Sequence, residues 1–527
     1  MSELQVRAEP GEIRGGLGRA SLDELRAAPS WRRRLLAFLA VIGPGVIVMV
    51  GDNDAGGITT YAQAGQAYGY SLLWVLALLV VVLAVSQEMV VRLGAVTGVG
   101  HGRLLRERFG RFWAAFSVVD LFVLNFLTLV TEFIGVRFAL GYFGFPPAIS
   151  VPLMGLVLVG AVLSGKFERW ERFMLFLVAV SLLVVPLGLL SPFHAAAIAR
   201  GLFIPGVKGG LTSTATVFLI GIVGTTVAPW QLFFQQSTVV DKQITPRWIS
   251  YERADTFFGS IVTNVAGGLV MVATAAVFTT QATGTFGNPA QIAEGLAHHL
   301  GSFMGVIFAI ILLEASLIGA ATVTLSTSYA LGDLFGIDQS LNTPVREAKG
   351  FYLSYVLLVA LAGGVVLVPH VPLSLVNLGV QVLAGVLLPS ALLFLLLLCN
   401  DRALLGPWVN PVWLNILATF IVALLLQLSL ILTVVTVVPT VPVIGLLVGT
   451  FIPVVVVTLI VAYFELTHRR GEPKPDKAAR LGWSMPAAAL LERPPTSRGR
   501  QLTLVFVRVY LLIAVVLMII SLVKLGG

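Results

Sequence analysis

Charge is scarce in this chain. Asp, Glu, Lys and Arg make up 11% of its 527 residues, and 57% are hydrophobic; soluble domains carry about a quarter charged residues. Cysteine is almost missing. The single Cys399 excludes an internal disulfide and, at the end of an apolar run, reads as a packing residue. Histidine occurs only at positions 101, 194, 298, 299, 370 and 468, none in the middle of an apolar run, so no deep imidazole offers itself as a base or proton relay. Neither Gly-x-Ser-x-Gly nor His-Glu-x-x-His is present, which argues against an intramembrane hydrolase. Residues 1–30 lack an apolar h-region, so no cleavable signal is expected and the first span serves as its own insertion signal.

What the chain has is long apolar runs, each able to cross a hydrocarbon core about 30 Å thick. The pattern predicts an all-α polytopic membrane protein with spans near 35–62, 71–96, 112–141, 148–165, 171–190, 212–237, 255–281, 302–332, 350–368, 372–398, 411–433 and 441–465, and a thirteenth run at 502–524. The expected organisation is an N-terminal cytoplasmic tail (1–34), a transport core (35–398), two peripheral spans (399–465), a cytoplasmic linker (466–501) and a last transmembrane helix (502–527). The net charge of +8 is explained by the lipid bilayer rather than by nucleic acid. Arg103, Arg106, Arg108 and Arg111, then Lys166, Arg169 and Arg172, then Lys242, Arg247 and Arg253, and finally Arg346 and Lys349 all lie in alternate connections. The opposite connections are nearly free of Lys and Arg, with 191–211 the exception through Arg200 and Lys208. That asymmetry places the N-terminus inside, in a cell membrane.

Two spans are interrupted. The first contains Gly51-Asp52-Asn53-Asp54-Ala55-Gly56-Gly57, and the sixth contains Gly224-Thr225-Thr226-Val227-Ala228-Pro229-Trp230. Carboxylates at mid-membrane depth are costly and mark function, and broken helices survive in a bilayer only where they face protein or a wet cavity. With breaks five spans apart, spans 1–5 and 6–10 enter from opposite sides, the pattern of an inverted repeat with a binding site between its halves.

The residues around these breaks resemble the Nramp (natural resistance-associated macrophage protein) family of divalent-metal transporters. The resemblance rests on Gly43-Pro44-Gly45, Tyr68-Gly69-Tyr70, Glu132-Phe133-Ile134-Gly135 and Gln381 eight residues before Pro389. It implies a LeuT-type fold with a 5+5 inverted repeat and about 12–13 transmembrane helices. The family's Asp-Pro-Gly-Asn falls on Asp54-Ala55-Gly56-Gly57, so the acid stays and the asparagine becomes Gly57. Its Met-Pro-His falls on Ala228-Pro229-Trp230, its second histidine on Gln235, and the acid three residues before Glu132 is Leu129. Loss of the thioether removes the ligand that favours soft transition metals. The oxygens that remain, with room left by Ala228 and Gly57, suit a partly hydrated hard ion. This pattern resembles the Nramp-related magnesium transporters. The expected cargo is Mg²⁺, with Mn²⁺ as a second cargo, moved by alternating access without proton coupling, needing no cofactor and no obligate protein partner.

Asp54, Asp52, Gly57, Thr225, Ala228 and Gln381 are the candidate metal-site residues, backed by Asn53, Thr226, Trp230, Gln235 and Glu132 along the pathway. Each has a plain alternative. Asp54 caps the second half-helix; Thr225 and Thr226 bond back to their own helix; Gln235 and Gln236 join helices; Trp230 packs. Asp52 and Asp54 face one ion only if the segment between them is unwound. Glu88 and Glu314 read as interhelical polar contacts before they read as transport residues, and Asn264 is a weaker transport candidate still. Competing functions are a proton-coupled Mn²⁺/Fe²⁺ transporter, an amino-acid transporter (opposed by the charge of Asp54), an intramembrane enzyme and a receptor-like membrane protein.

Overall fold

The computed structural model describes residues 11–23, 30–278, 288–337, 339–368, 373–438, 441–469 and 476–487, with single positions between 491 and 512. Each of the first twelve expected spans is helical, continuous or in pieces. Among the described residues ten helices are long and apolar enough to cross a membrane, or eleven if one bent pair counts as a span. The fourth, Pro147–Leu163, is apolar but only 17 residues long. All of the thirteenth run but Val505, Val509, Tyr510 and Leu512, and about half of the linker before it, lie outside the described residues.

The first span is three pieces. Helix α1 (Trp31–Val41) bends by 52° into α2 (Pro44–Gly51), and α3 (Ala55–Tyr68) follows after a three-residue gap. At the gap α2 tightens into a 3₁₀ turn, with Asp52 N–H donating to Met49 O and Asn53 N–H to Val50 O. Asp54 is extended (φ −65°, ψ 178°) and caps α3 by accepting from Gly57 N–H at 2.6 Å, the usual work of an N-cap aspartate. In the sixth span Ser213–Thr226 ends and Pro229–Asp241 begins across an extended Val227 and Ala228. A proline forces the residue before it out of the α region, so Pro229 writes this break into the sequence.

The third span (Arg111–Tyr142) and the eighth (Ser302–Phe335) pack along each other, and the seventh (Ile249–Phe278) lies against α2 and α3. Close approach of the sixth and tenth (Leu373–Cys399) depends on glycine. A Cβ on Gly224 would overlap Gln381 O and Gly385 N–H across the interface. Two short helices, Ala195–Phe203 and Pro289–Leu300, fill connections that composition alone reads as loops. The polar N-terminal stretch also holds structure: strands β1 (Glu12–Gly15) and β2 (Gly18–Ser21) form an antiparallel hairpin, pairing Ile13 with Ala20.

Candidate functional site

The two breaks meet. Because Gly57 has no side chain, Thr225 Oγ1, Asp52 O and Asp54 Oδ1 close in around it. They lie 2.6, 3.1 and 3.4 Å from where its Cβ would be. At the preceding residue the amide of Gln381 takes the place of a Gly56 side chain, and Asp54 Oδ1 lies 3.1 Å from the same point. Gly56 and Gly57 thus admit the tenth span on one side and the sixth on the other. Five of the sequence candidates, Asp52, Asp54, Gly57, Thr225 and Gln381, come together here.

Several polar atoms in this group have nothing to bond. Asp52 Oδ2, Thr225 Oγ1 and Gln381 Nε2 are buried without a hydrogen-bond partner. A buried polar atom left unpaired costs about 1–3 kcal/mol, so three together describe a place built for something else. Asp52 and Asp54 are 1% and 3% exposed, so the site is shut from bulk water. Among the described residues no three His, Cys, Asp or Glu side chains converge. The donors on offer are two carboxylates, a hydroxyl, a backbone carbonyl and an amide.

The segment carrying both acids is unwound. Asp52 turns toward Gln231, whose Oε1 accepts from Gln87 Nε2 at 3.0 Å. Neither glutamine stands out in the sequence; a polar amide in each of two apolar spans is the available signal. Glu132 reaches behind the cap. Its Oε2 accepts from Ala55 N–H at 3.1 Å, and Glu132 Oε2 and Asp54 Cβ close together on Gly319. Two carboxyl groups so placed need a proton between them or a cation beside them.

The remaining candidates spend polar atoms elsewhere, although Asn53 Oδ1 and Gln235 Oε1 are buried without a partner. Asn53 Nδ2 donates to Thr263 O at 3.0 Å. Thr226 Oγ1 donates to Ile222 O and meets Tyr61 Oη, both at 2.7 Å. Trp230 is buried against Phe234, and its carbonyl accepts from Ser326. Ala228 is the extended residue before Pro229 and is also buried. Gln235 donates to Thr256 Oγ1 of the seventh span at 2.8 Å, and Gln236 to Val99 O at 2.7 Å, the helix-joining role. Glu88 pairs with Arg92 and Arg253, and Asn264 donates to Ser260 O within its own helix. Glu314 is buried, with one carboxyl oxygen unpaired.

The family model described as natural resistance-associated macrophage protein-like matches residues 45–435. Among curated proteins, a divalent metal cation transporter MntH of Xanthomonas campestris pv. campestris is 29% identical over 453 residues, covering 81% of this chain and 98% of the relative. The Staphylococcus aureus (strain Newman) protein of the same name is 24% identical, with 79% and 96% covered. Among solved structures, the Eremococcus coleocola manganese transporter in complex with an aromatic bis-isothiourea substituted compound superposes with a TM-score of 0.64. It is 21% identical and covers 83% of this chain and 97% of its own.

Proposed function

This chain belongs to the Nramp family of divalent-metal transporters, and from that premise we propose that its preferred cargo is a partly hydrated Mg²⁺, with Mn²⁺ as a poorer one. The observation that carries the reading is the donor set. Asp54, Asp52 O, Thr225 Oγ1 and the Gln381 amide are all hard donors or can present one by turning an amide. Ala228 stands where the family resemblance puts a methionine. Mg²⁺ keeps several waters and takes few protein oxygens, whereas Cd²⁺ and the later transition metals gain from sulfur. With the N-terminus inside, as the basic connections favour, a dication moving inward gains about 4.6 kcal/mol per 100 mV. That is enough to accumulate it without a second ion.

One contact favours a second reading of the energetics. The approach of Asp54 and Glu132 at Gly319 is a place where an arriving dication would displace a proton, giving exchange of one proton per metal even without histidine. Purified protein in liposomes separates these readings. Uptake of Mg²⁺, Mn²⁺ and Cd²⁺ is followed under a fixed potential with a proton-sensitive dye in the lumen. Mg²⁺ uptake at constant luminal pH is the expected result; alkalinisation in step with uptake establishes exchange, and acidification establishes co-transport. Ala228→Met moves preference toward Mn²⁺ and Cd²⁺ several-fold. Vesicles that admit Mn²⁺ and refuse Mg²⁺ rule out the cargo assignment.

A further inference from the structure

Glu171 and Lys242 form an ion pair with no exposure of either side chain, 2.6 Å apart. A fully buried pair needs its remaining hydrogen-bonding capacity filled, and here the groups that fill it belong to other elements. Lys242 Nζ also donates to Val41 O at 2.7 Å and Ile42 O at 3.0 Å, the two carbonyls at the bend between α1 and α2. The second oxygen of Glu171 accepts from Gly16 N–H at 2.7 Å, in the turn of the β1–β2 hairpin. The next residue, Arg172, donates to Gly16 O at 3.1 Å, so one glycine of the hairpin is held through both its N–H and its carbonyl by the fifth span.

The fit around this junction is tight. A Cβ on Gly15 would overlap Ala40 O, and one on Gly43 (φ 153°) would overlap Glu171 Oε1. Ile13 and Ala20 face inward, 3% and 7% exposed, whereas Arg14 and Arg19 face out. The hairpin therefore has one buried face and one solvated face, like an element made to seat on the bundle. The hairpin packs on α1 and the fifth span, and beyond the bend α1 continues as helix α2. It is eight residues long, buried along its whole length, and set between the α1–α2 bend and the gap at Asp52–Asp54. Its first turn hangs from Asp255, which accepts from Gly43, Gly45 and Val46 N–H at 2.8–3.1 Å. A short helix with a joint at each end is the piece of this molecule best able to move as a unit.

We propose that the β1–β2 hairpin is a latch on the gate formed by α2. Seated, it holds Glu171 and Lys242 on the α1–α2 bend and keeps the site shut on the side that carries the N-terminus; α2 swings only after Gly16 leaves Glu171. The proposal rests on the transport reading for its consequence, but the movement of α2 is measurable without it.

The test uses full-length protein with Cys399→Ser as background. A Cβ on Gly16 would lie 3.3 Å from Leu175 Cδ1, so Gly16→Cys with Leu175→Cys places two thiols in reach of a short bifunctional thiol reagent with a reducible spacer. Cross-linking is expected to cut dication flux at least tenfold, with recovery on reduction. In a second variant, Ile13→Asp unseats the hairpin without touching any span. Combined with Ile47→Cys as a reporter on α2, it is expected to speed labelling by a membrane-impermeant thiol reagent from the N-terminal side several-fold. Full flux in the cross-linked protein, or unchanged labelling of the reporter in Ile13→Asp, overturns the latch. If no variant carries a dication yet Ile13→Asp still speeds labelling, the transport reading fails and the latch stands.

Discussion

At the scale of single residues, Asp54 does two things that mutation can separate. As the N-cap of α3 it stabilises the helix through Gly57 N–H; as an anion it offers charge to the cargo. Asparagine is as good an N-cap as aspartate, so Asp54→Asn keeps the cap and removes the charge. Thermal stability in detergent is expected to stay within about 1 kcal/mol of the parent, the worth of the cap that is kept, while Mg²⁺ flux falls at least a hundredfold. An Asp54→Asn protein that still transported would reduce this residue to a cap. The residue types at the site are legible in the amino-acid sequence: an acid in an apolar run and glycines beside it. Their partners are not. That the amide nitrogen of Asn53 goes to Thr263 and the hydroxyl of Thr226 meets Tyr61, or that Gln231 lies beside Asp52, depends on which helices face one another, and periodicity within one helix carries no such information.

At the scale of elements, hydropathy places twelve spans and proline places the break in the sixth. The bend at Ile42–Gly43 is marked in the same way by Gly43-Pro44, but the hairpin before it leaves no such trace, because short polar strands bury too little apolar surface to show in a window built for spans. Packing between elements depends on glycines whose purpose appears only when a neighbour is present. Gly224 and Gly385 let the sixth and tenth spans touch backbone to backbone, and Gln381 reaches Gly56 from that contact. A methyl at Gly224 has nowhere to go, because backbone atoms surround it. Gly224→Ala therefore pushes the tenth span outward and draws Gln381 off the site. The expected result is a several-fold higher KM for Mg²⁺ with the protein still folded, read from flux against concentration beside a melting curve. An unchanged KM would take Gln381 out of the cargo's reach.

At the scale of the whole molecule, one buried group outside the spans ties folding to pH. His101 begins the short helix His101–Phe109 between the second and third spans. It is buried, and burial pushes its imidazole down from the ordinary 6.5 to about 4. Gln236 Nε2 donates to Val99 O, so its Oε1 is left to accept from His101 Nδ1 at 2.8 Å, and the Phe233 ring packs edge-on at 4.6 Å. The neutral ring fits this pocket; the charged ring does not. Between pH 6.5 and 4 the unfolded chain takes up a proton that the fold refuses, so this group's contribution is complete above pH 6.5 and is lost as pH falls. At 1.36 kcal/mol per unit the loss reaches about 3 kcal/mol by pH 4. His101→Gln, which cannot take that proton, is expected to flatten the decline in stability between pH 6.5 and 4 relative to the parent, as read by denaturation in detergent. The strain of a charged ring would fall first on Gln236, in the second half of the broken sixth span. Acid should therefore loosen the protein beside Gln235 and the Pro229 break before it unfolds it. If parent and variant decline with the same slope, the pocket tolerates the imidazolium and this link between pH and the broken span is absent.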